Sequence, residues 1–428
     1  MSDTKPGFYE ELSWRGFIHS STEGSGKVFS PGAVTGYIGF DPTASSLHVG
    51  SLLPIMGLVH LQRHGHHPIA IAGGGTGMIG DPSGKTLERK LLSAEDIDRN
   101  LEGIRSQLSH FLDFNAAGNP ARIVNNADWL ATISMLEFLR GVGKFFSVNE
   151  MLAKDSVKSR IDQEQGMSFT EFSYSLLQSY DYLQLFDRYG CTLQMGGSDQ
   201  WGNIVSGVAL IRRMRAADVH GIVFPLLTTS TGEKFGKSES GTVWLDSART
   251  SPYRFYQFWY NTDDRDVLRY LRLFTLLSQE RIAELEVELN TAPQKRSAQA
   301  ALASEVTRTV HGDSSLAQAV RASGIFFGGE IADAGDADLL DIFSDVPSIE
   351  LSKARLEGNG MPLLELLPAA GVVTSKGEAR RSIQGGGIYL NNIRVSDPDK
   401  AVTELETVRG KFIVLRKGAR NYFLVKVI

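Results

Sequence analysis

The chain has 428 residues, 42% of them hydrophobic and 22% charged, which supplies core for two or three domains and excludes a disordered or fibrous protein. No window reaches the roughly 18 apolar residues of a membrane span, the first fourteen residues hold three acidic groups and no apolar run, and the one cysteine, Cys191, leaves no intramolecular disulfide; no secretory or mitochondrial address is readable, and a reducing cytoplasm is expected. The net charge of −5 argues against a nucleic-acid partner, but residues 361–428 hold eleven Lys/Arg against six Asp/Glu, a local +5 on a body of −10, so polyanion binding is expected of a basic C-terminal module.

In chain order, 33–40 reads as a β-prone strand and 52–63 as a helix, with Pro54 in its first turn, where a missing N–H costs little. Residues 68–73 read as a strand, 92–111 as a long helix and 121–125 as a strand. Helical patterns over 135–187 interrupt this alternation before a strand near 192–195. The order predicts an α/β, doubly wound parallel sheet of Rossmann-like type with its ligand crevice at the carboxyl ends of the strands. Residues 252–325 are almost continuously helical in pattern, and the Gly- and Asp-rich stretch that follows carries turn signals. Two short helices, 363–371 and 376–384, then precede β-prone runs around an Asn391-Asn392 turn and 416–420, a small α+β module. The domain bounds expected are 1–225 for the sheet, 226–245 for a loop, 246–327 for a helical domain, 328–360 for a linker and 361–428 for the basic module.

Two distant segments are built to hold phosphates. Asp41-Pro-Thr-Ala-Ser-Ser-Leu-His48-Val-Gly50-Ser51 turns from the first strand into the following helix. Helix N-termini carry unpaired N–H groups and partial positive charge, so a triphosphate placed there meets donors. His48 adds a donor, and Gly50 has no Cβ to block the nucleotide. Lys234-Phe-Gly-Lys237-Ser238 lies between turn residues, Ser230-Thr-Gly232 and Glu239-Ser-Gly241, and reads as a mobile loop whose two ammonium groups neutralise charge that appears in a phosphoryl transition state.

Other matches fail on context. Gly75-Thr-Gly77-Met-Ile-Gly80 fits a dinucleotide fingerprint, but Asp81-Pro82 spoils the helix opening that a pyrophosphate needs. Gly84-Lys85-Thr86 mimics a phosphate-binding loop, yet the required first glycine would be Ile79. His64, His66 and His67 lack a carboxylate or cysteine partner for a metal and read as a turn. Cys191 reads as a small hydrophobe.

Together and in this order, the two phosphate segments resemble the HIGH and KMSKS signatures of class I aminoacyl-tRNA synthetases. Tyr37-Ile-Gly39-Phe-Asp41-Pro-Thr43, Gly80-Asp81-Pro-Ser-Gly, Phe172-Ser-Tyr174-Ser-Leu-Leu-Gln178-Ser-Tyr-Asp181 and Gln194-Met-Gly-Gly-Ser-Asp199-Gln200-Trp-Gly-Asn203 each resemble bacterial tyrosyl-tRNA synthetases, from about residue 8 to the C-terminus. The resemblance implies attack of the L-tyrosine carboxylate on the α-phosphate of ATP, which is accompanied by Mg²⁺, and then transfer of tyrosyl to the 3′ adenosine of tRNA(Tyr). A carboxylate is ionised near neutral pH, so the first step needs no general base, and catalysis rests on positioning and charge stabilisation.

By the same resemblance Thr43, His48, Lys234 and Lys237, joined by Lys85 and Arg89, act on the triphosphate and pyrophosphate. Gly39, Asp41, Gly50, Ser51, Gly197 and Asp199 complete the ATP site, Asp199 on the ribose. Tyr37 and Asp181 read the phenol hydroxyl, Tyr174, Gln178 and Asp81 hold the ammonium, and Gln200 belongs to the tyrosine site. Rejection of phenylalanine near about 10⁵ is a figure known for tyrosyl-tRNA synthetases themselves, and it belongs to the family resemblance and not to the spacing of these residues. The alternative is tryptophanyl-tRNA synthetase, whose indole N–H is only a donor and suits a Tyr37/Asp181 pair less well. An RNA-binding scaffold without catalysis is a second rival, opposed by His48, Lys234, Lys237 and Asp199. A homodimer, an S4-like C-terminal RNA-binding domain and a helical domain meeting the anticodon region are also implied. Two positions depart from the pattern: Ser51 stands where the second signature histidine would be, and Ile38 replaces a polar residue of some relatives, which puts ATP affinity in question.

Overall fold

The β-prone runs of the first half assemble into one six-stranded sheet: β1 Ser20–Ser21, β2 Thr35–Phe40, β3 His67–Ala72, β4 Arg122–Asn125, β5 Cys191–Gly197 and β6 His220–Phe224, in the order β1-β6-β5-β2-β3-β4. This computed structural model describes residues 6–30, 32–83, 93–154, 157–158, 161, 166–232, 235–238, 241–326, 328–331, 334–344, 346–418 and 421–428. Strands β2 to β6 run parallel, and β1 closes one edge antiparallel to β6. β3 is buried along almost its whole length, as a parallel strand covered on both faces must be. The chain winds outward from β2 through β3 to β4 and, after returning, from β5 to β6. The reversal between β2 and β5 is a topological switch point, where the carboxyl ends of neighbouring strands diverge and leave a crevice.

Helices α1 Phe8–Arg15, α2 Leu52–Arg63, α3 Ala94–Leu108 and α4 Ala127–Leu130 accompany the first strands. The 135–187 interruption contains α5 Met135–Gly141, α6 Val148–Leu152 and all but the last two residues of α7 Phe169–Tyr189. Ser168 caps α7 by accepting from Glu171 N, and Gly190, at φ +61, ends it in the left-handed region. α8 Trp201–Arg215 follows β5. Cys191 sits in the core beneath α7, and burial pushes its thiol up to about 12, consistent with a packing role. His66 Nδ1 accepts from Val34 N at 3.2 Å, which gives that histidine a structural task.

Two units divide the chain, residues 1–249 with 261–310 and residues 250–260 with 311–428. The first therefore includes α10 Asp264–Phe274, α11 Gln279–Thr291 and the beginning of α12 Ser297–Phe326, while α9 Pro252–Tyr260 belongs to the second. α12 is interrupted at Gly312, at φ +81, so the continuous helical pattern read over 252–325 is shared between the units. Arg15, 4% exposed, ties α1 to the end of α10 by donating to the carbonyls of Arg272, Thr275 and Leu277.

In the second unit, β9 Ser348–Leu351 lies parallel to β15 Asn421–Val427 at the edge of a sheet ordered β12-β11-β14-β15-β9, with β11 Ile388–Leu390, β12 Ile393–Arg394 and β14 Phe412–Lys417. Asn391 and Asn392, at φ +50 and +63, form the two-residue turn between β11 and β12. The expected 328–360 linker is thus revised: it contains α13 Asp336–Ile342 and β9, and Leu339, Ile342 and Phe343 are core residues packed with Tyr422 and Leu424. Too short to show periodicity, these elements are stabilised by a sheet formed elsewhere in the sequence. α14 Leu363–Ala369, α15 Lys376–Gln384 and the antiparallel pair β10 Met361–Pro362 and β13 Ala401–Val402 complete the unit.

Candidate active site

A cleft of about 650 Å³ opens at the carboxyl ends of β2, β3, β5 and β6. Its deepest wall joins β2 to α7. Tyr37 is 1% exposed and Asp181 3%; Asp181 accepts from Trp129 Nε1 at 2.7 Å through Oδ1 and from Asn126 Nδ2 at 2.9 Å through Oδ2. Burial is the larger influence and raises the Asp181 carboxyl to about 7, against the pull of those two donors. The Tyr37 hydroxyl is buried without a partner among the described residues, and burial followed by Asp181 raises its pKa well above the ordinary phenol value. A buried orphan hydroxyl beside a carboxylate is costly unless a ligand completes it.

The middle of the cleft is acidic. Tyr174 Oη donates to Asp41 Oδ2 at 3.2 Å, Thr76 Oγ1 donates to Asp41 Oδ1 at 3.2 Å, and Asn126 Nδ2 reaches Thr76 Oγ1 at 2.9 Å. Asp81 accepts from Gln200 Nε2 at 2.7 Å and from Ser83 N at 2.8 Å. Asn203 Nδ2 donates to Gln178 Oε1 at 2.9 Å, holding the amide oxygen in place. Tyr174, Gln178 and Asp181 lie four and three residues apart, so one face of α7 delivers all three. Burial, then Asp41, Asp81 and Asp181, raises the Tyr174 phenol pKa.

The outer end is the mouth of α2. Gly50 N donates to His48 Nδ1 at 3.0 Å, so Nδ1 is the acceptor and Nε2 is left as the ring's donor. A Cβ on Gly50 would lie 2.7 Å from His48 Cε1; the glycine makes room for the folded-back histidine, a reason distinct from nucleotide approach. Across the cleft, Gly197 ends β5 and Asp199 follows it, and a Cβ on Gly197 would collide with the Asp199 carboxylate. Gly39 lines the wall between them.

Most of the expected site is therefore gathered in one cleft, with specific exceptions. Asp41 is bonded to Tyr174 and Thr76 and so belongs to the acidic middle. Thr43 is exposed and Ser51 donates its N–H to His48 O at 2.7 Å; neither lines the cleft. Lys85, Arg89 and Lys234 lie outside the described residues, and of Lys237 only the backbone is described, as β7 Lys237–Ser238 paired with β8 Gly241–Thr242. Asn126, Trp129 and Thr76 were missed. Asn126 follows the carboxyl end of β4, the same rule that singles out the other strand ends; Trp129 offered no signal, since a tryptophan in a short helix reads as core.

A family model described as tRNA synthetases class I (W and Y) matches residues 31–328, and one described as the tyrosine-tRNA ligase SYY-like C-terminal domain matches 338–425. The tyrosine-tRNA ligase of Roseiflexus castenholzii is 55% identical over 98% of this chain and 99% of its own. The chain belongs to the tyrosine-tRNA ligase family. A further member, from Geobacillus stearothermophilus, is 51% identical over 97% of this chain and 98% of its own. Among solved structures, a C-terminally truncated mitochondrial tyrosyl-tRNA synthetase of Aspergillus nidulans matches with a TM-score of 0.69 and 32% identity, covering 75% of this chain and 94% of its own. A tryptophanyl-tRNA synthetase from Encephalitozoon cuniculi is 12% identical at a TM-score of 0.53, covering 78% of this chain and 90% of its own, a likeness of fold alone. Tyrosine-tRNA ligases are class I synthetases and take ATP as a substrate.

Proposed function

We propose that this chain condenses L-tyrosine with ATP to tyrosyl-adenylate and transfers the tyrosyl group to tRNA(Tyr), with the side chains of the cleft in the following roles. The observation that carries the reading is the orphan Tyr37 hydroxyl beside Asp181 at the bottom of the cleft. A phenol hydroxyl donates to the carboxylate and accepts from Tyr37, whereas phenylalanine leaves the Tyr37 hydroxyl unpaired and brings the buried carboxylate no further donor. Asn126 and Trp129 fix the carboxylate from behind. The substrate ammonium falls among Tyr174, Gln178 and Asp81, with Gln200 and Asp41 orienting two of them.

Held at both ends, the tyrosine directs its carboxylate toward the mouth of α2. An oxygen of that carboxylate bonds to the α-phosphorus as the bond to the bridging oxygen of the β-phosphate breaks, and pyrophosphate leaves. His48 Nε2–H stabilises the charge; Lys234 and Lys237, with Lys85 and Arg89, add cations, and Asp199 holds the ribose. Mg²⁺ enters with the triphosphate as part of the substrate. Tyrosine-dependent exchange of pyrophosphate into ATP tests this reading. Exchange with tyrosine alone is expected, and comparable exchange with tryptophan would overturn it.

Two further roles extend the proposal. The exposed apolar side chains of the 135–169 region, among them Leu136 at 80% and Phe169 at 74%, support a homodimer through this face; sedimentation should give twice the 46.9 kDa of the chain, and Leu136→Asp should shift it to monomer. The basic residues after 361, together with the helical and C-terminal elements, support an S4-like tRNA contact in a cytoplasmic enzyme. A cut at residue 361 would strip β15 from β9, so removal of residues 327–428 is the appropriate test. Pyrophosphate exchange should survive and tRNA charging should fall; unchanged charging would show that the tail is not an RNA contact.

A further inference from the structure

A cationic phosphate-binding turn has no evident need for a buried aromatic ring, yet Phe235, between Lys234 and Lys237, is only 7% exposed. Its ring stacks on Phe274 with centroids 5.4 Å apart and planes 9° from parallel, and it meets Tyr270 edge-on at 5.0 Å. Tyr270 and Phe274 are themselves in edge contact at 5.8 Å. We propose that Tyr270 and Phe274 of α10 form a socket for Phe235 that sets where the two flanking lysines stand, which makes Phe235 a positioning residue for adenylate formation. The proposal rests on the proposed function, in which the 234–238 loop acts on the triphosphate.

The sequence of α10 supports the socket. Asp266, Tyr270 and Phe274 recur every four residues and so share one face of the helix. The first of them, 7% exposed, accepts from Ser230 N at 2.8 Å, while the other two clamp the ring, so a single helix face grips the loop on both sides of Gly232. Aromatic pairs of this kind add specific geometry to apolar burial. A lysine stem is long and rotamer-rich, and only the backbone that bears it can be placed in advance.

The socket is also registered to the phosphate end of the cleft. Gly236, at φ +88, lies so close to the histidine signature that a Cβ there would be 3.0 Å from Val49 Cγ2. Val243 N donates to Gly236 O at 3.2 Å, Val49 N to Val243 O at 3.0 Å and Leu245 N to Leu47 O at 2.9 Å. α10 packs against α2, and Arg15 holds the carbonyls at its end. Phe235 is thus fixed relative to His48 through packed helix as well as through chain.

The test compares wild type, Phe235→Ala and Phe235→Leu by tyrosine-dependent pyrophosphate exchange, with tyrosine binding followed by calorimetry. Phe235→Ala should lower kcat by about 10–100-fold, the scale of a small misplacement of a catalytic group, with KM for tyrosine within about twofold of wild type. Phe235→Leu, which keeps apolar bulk in the socket, should recover most of the loss. If Phe235→Ala does not fold, Phe274→Leu, which removes the stacking partner, carries the same expectation. Wild-type kcat in the alanine variant, a loss that appears in tyrosine KM, or no recovery by leucine would overturn the socket while leaving the functional reading intact. Absence of exchange in the wild type would overturn that reading and the socket with it.

Discussion

Replacing His48 with alanine is expected to lower kcat for tyrosine-dependent pyrophosphate exchange by about 10²–10³, the scale of one preorganised donor lost from a developing charge. The expectation follows from the tautomer. Gly50 N occupies Nδ1 as a donor, so the ring presents its N–H at Nε2. KM for tyrosine should stay unchanged, because the amino acid is held at the opposite end of the cleft. A rise in tyrosine KM matching the fall in kcat/KM would mean that His48 acts in amino-acid binding, against the placement proposed for it.

The second large effect is expected at Asp181. Asp181→Ala removes a charge-assisted hydrogen bond worth about 1.5–3 kcal/mol and leaves the donors that Asn126 and Trp129 direct at the carboxylate without an acceptor, so tyrosine binding should weaken by about 10²-fold or more. The wild type should also show a pH signature. To accept from the phenol the carboxyl must be ionised, and burial raises it to about 7 in the free enzyme. Tyrosine affinity should therefore be level above that value and fall by up to about tenfold per unit below it, whereas phenylalanine, which offers no phenol, should bind without this dependence. The sign for folding is the opposite: a raised carboxyl stabilises the native state below its ordinary range, and that contribution is lost as pH rises through about 7. Calorimetric titration of tyrosine between pH 6 and 8 with both proteins decides the matter; a flat wild-type profile would remove Asp181 from phenol recognition.

What was legible beforehand follows the range over which each signal acts. Strand β2, helix α2 and the Asn391-Asn392 turn are specified by neighbours within a few residues, through alternation, amphipathic period and a left-handed turn chemistry. Their bounds match the sequence reading to within a few residues. The linker reading failed because α13 and β9 are short and acquire their stability from β15, some seventy residues further on. The site shows the same division. Tyr37, Asp81, Tyr174, Gln178 and Asp181 stand in motifs whose spacing is visible along the chain. Asn126 and Trp129 stand in none, because their relation to Asp181 exists only across space.

The order of apolar and polar residues, with a strand-to-helix turn, a cationic loop and α7's run of polar side chains on one face, already determined the chemistry available to this protein: an anion at one place, an ammonium and a hydroxyl at another. Which of these meet was decided by the crossover between β2 and β5, which opens the crevice, and by the packing of α7 over it. Only that packing buries Asp181 and orphans the Tyr37 hydroxyl. Burial is a property of the assembled fold, and it is burial that turns an ordinary carboxylate and phenol into a pair that requires a ligand.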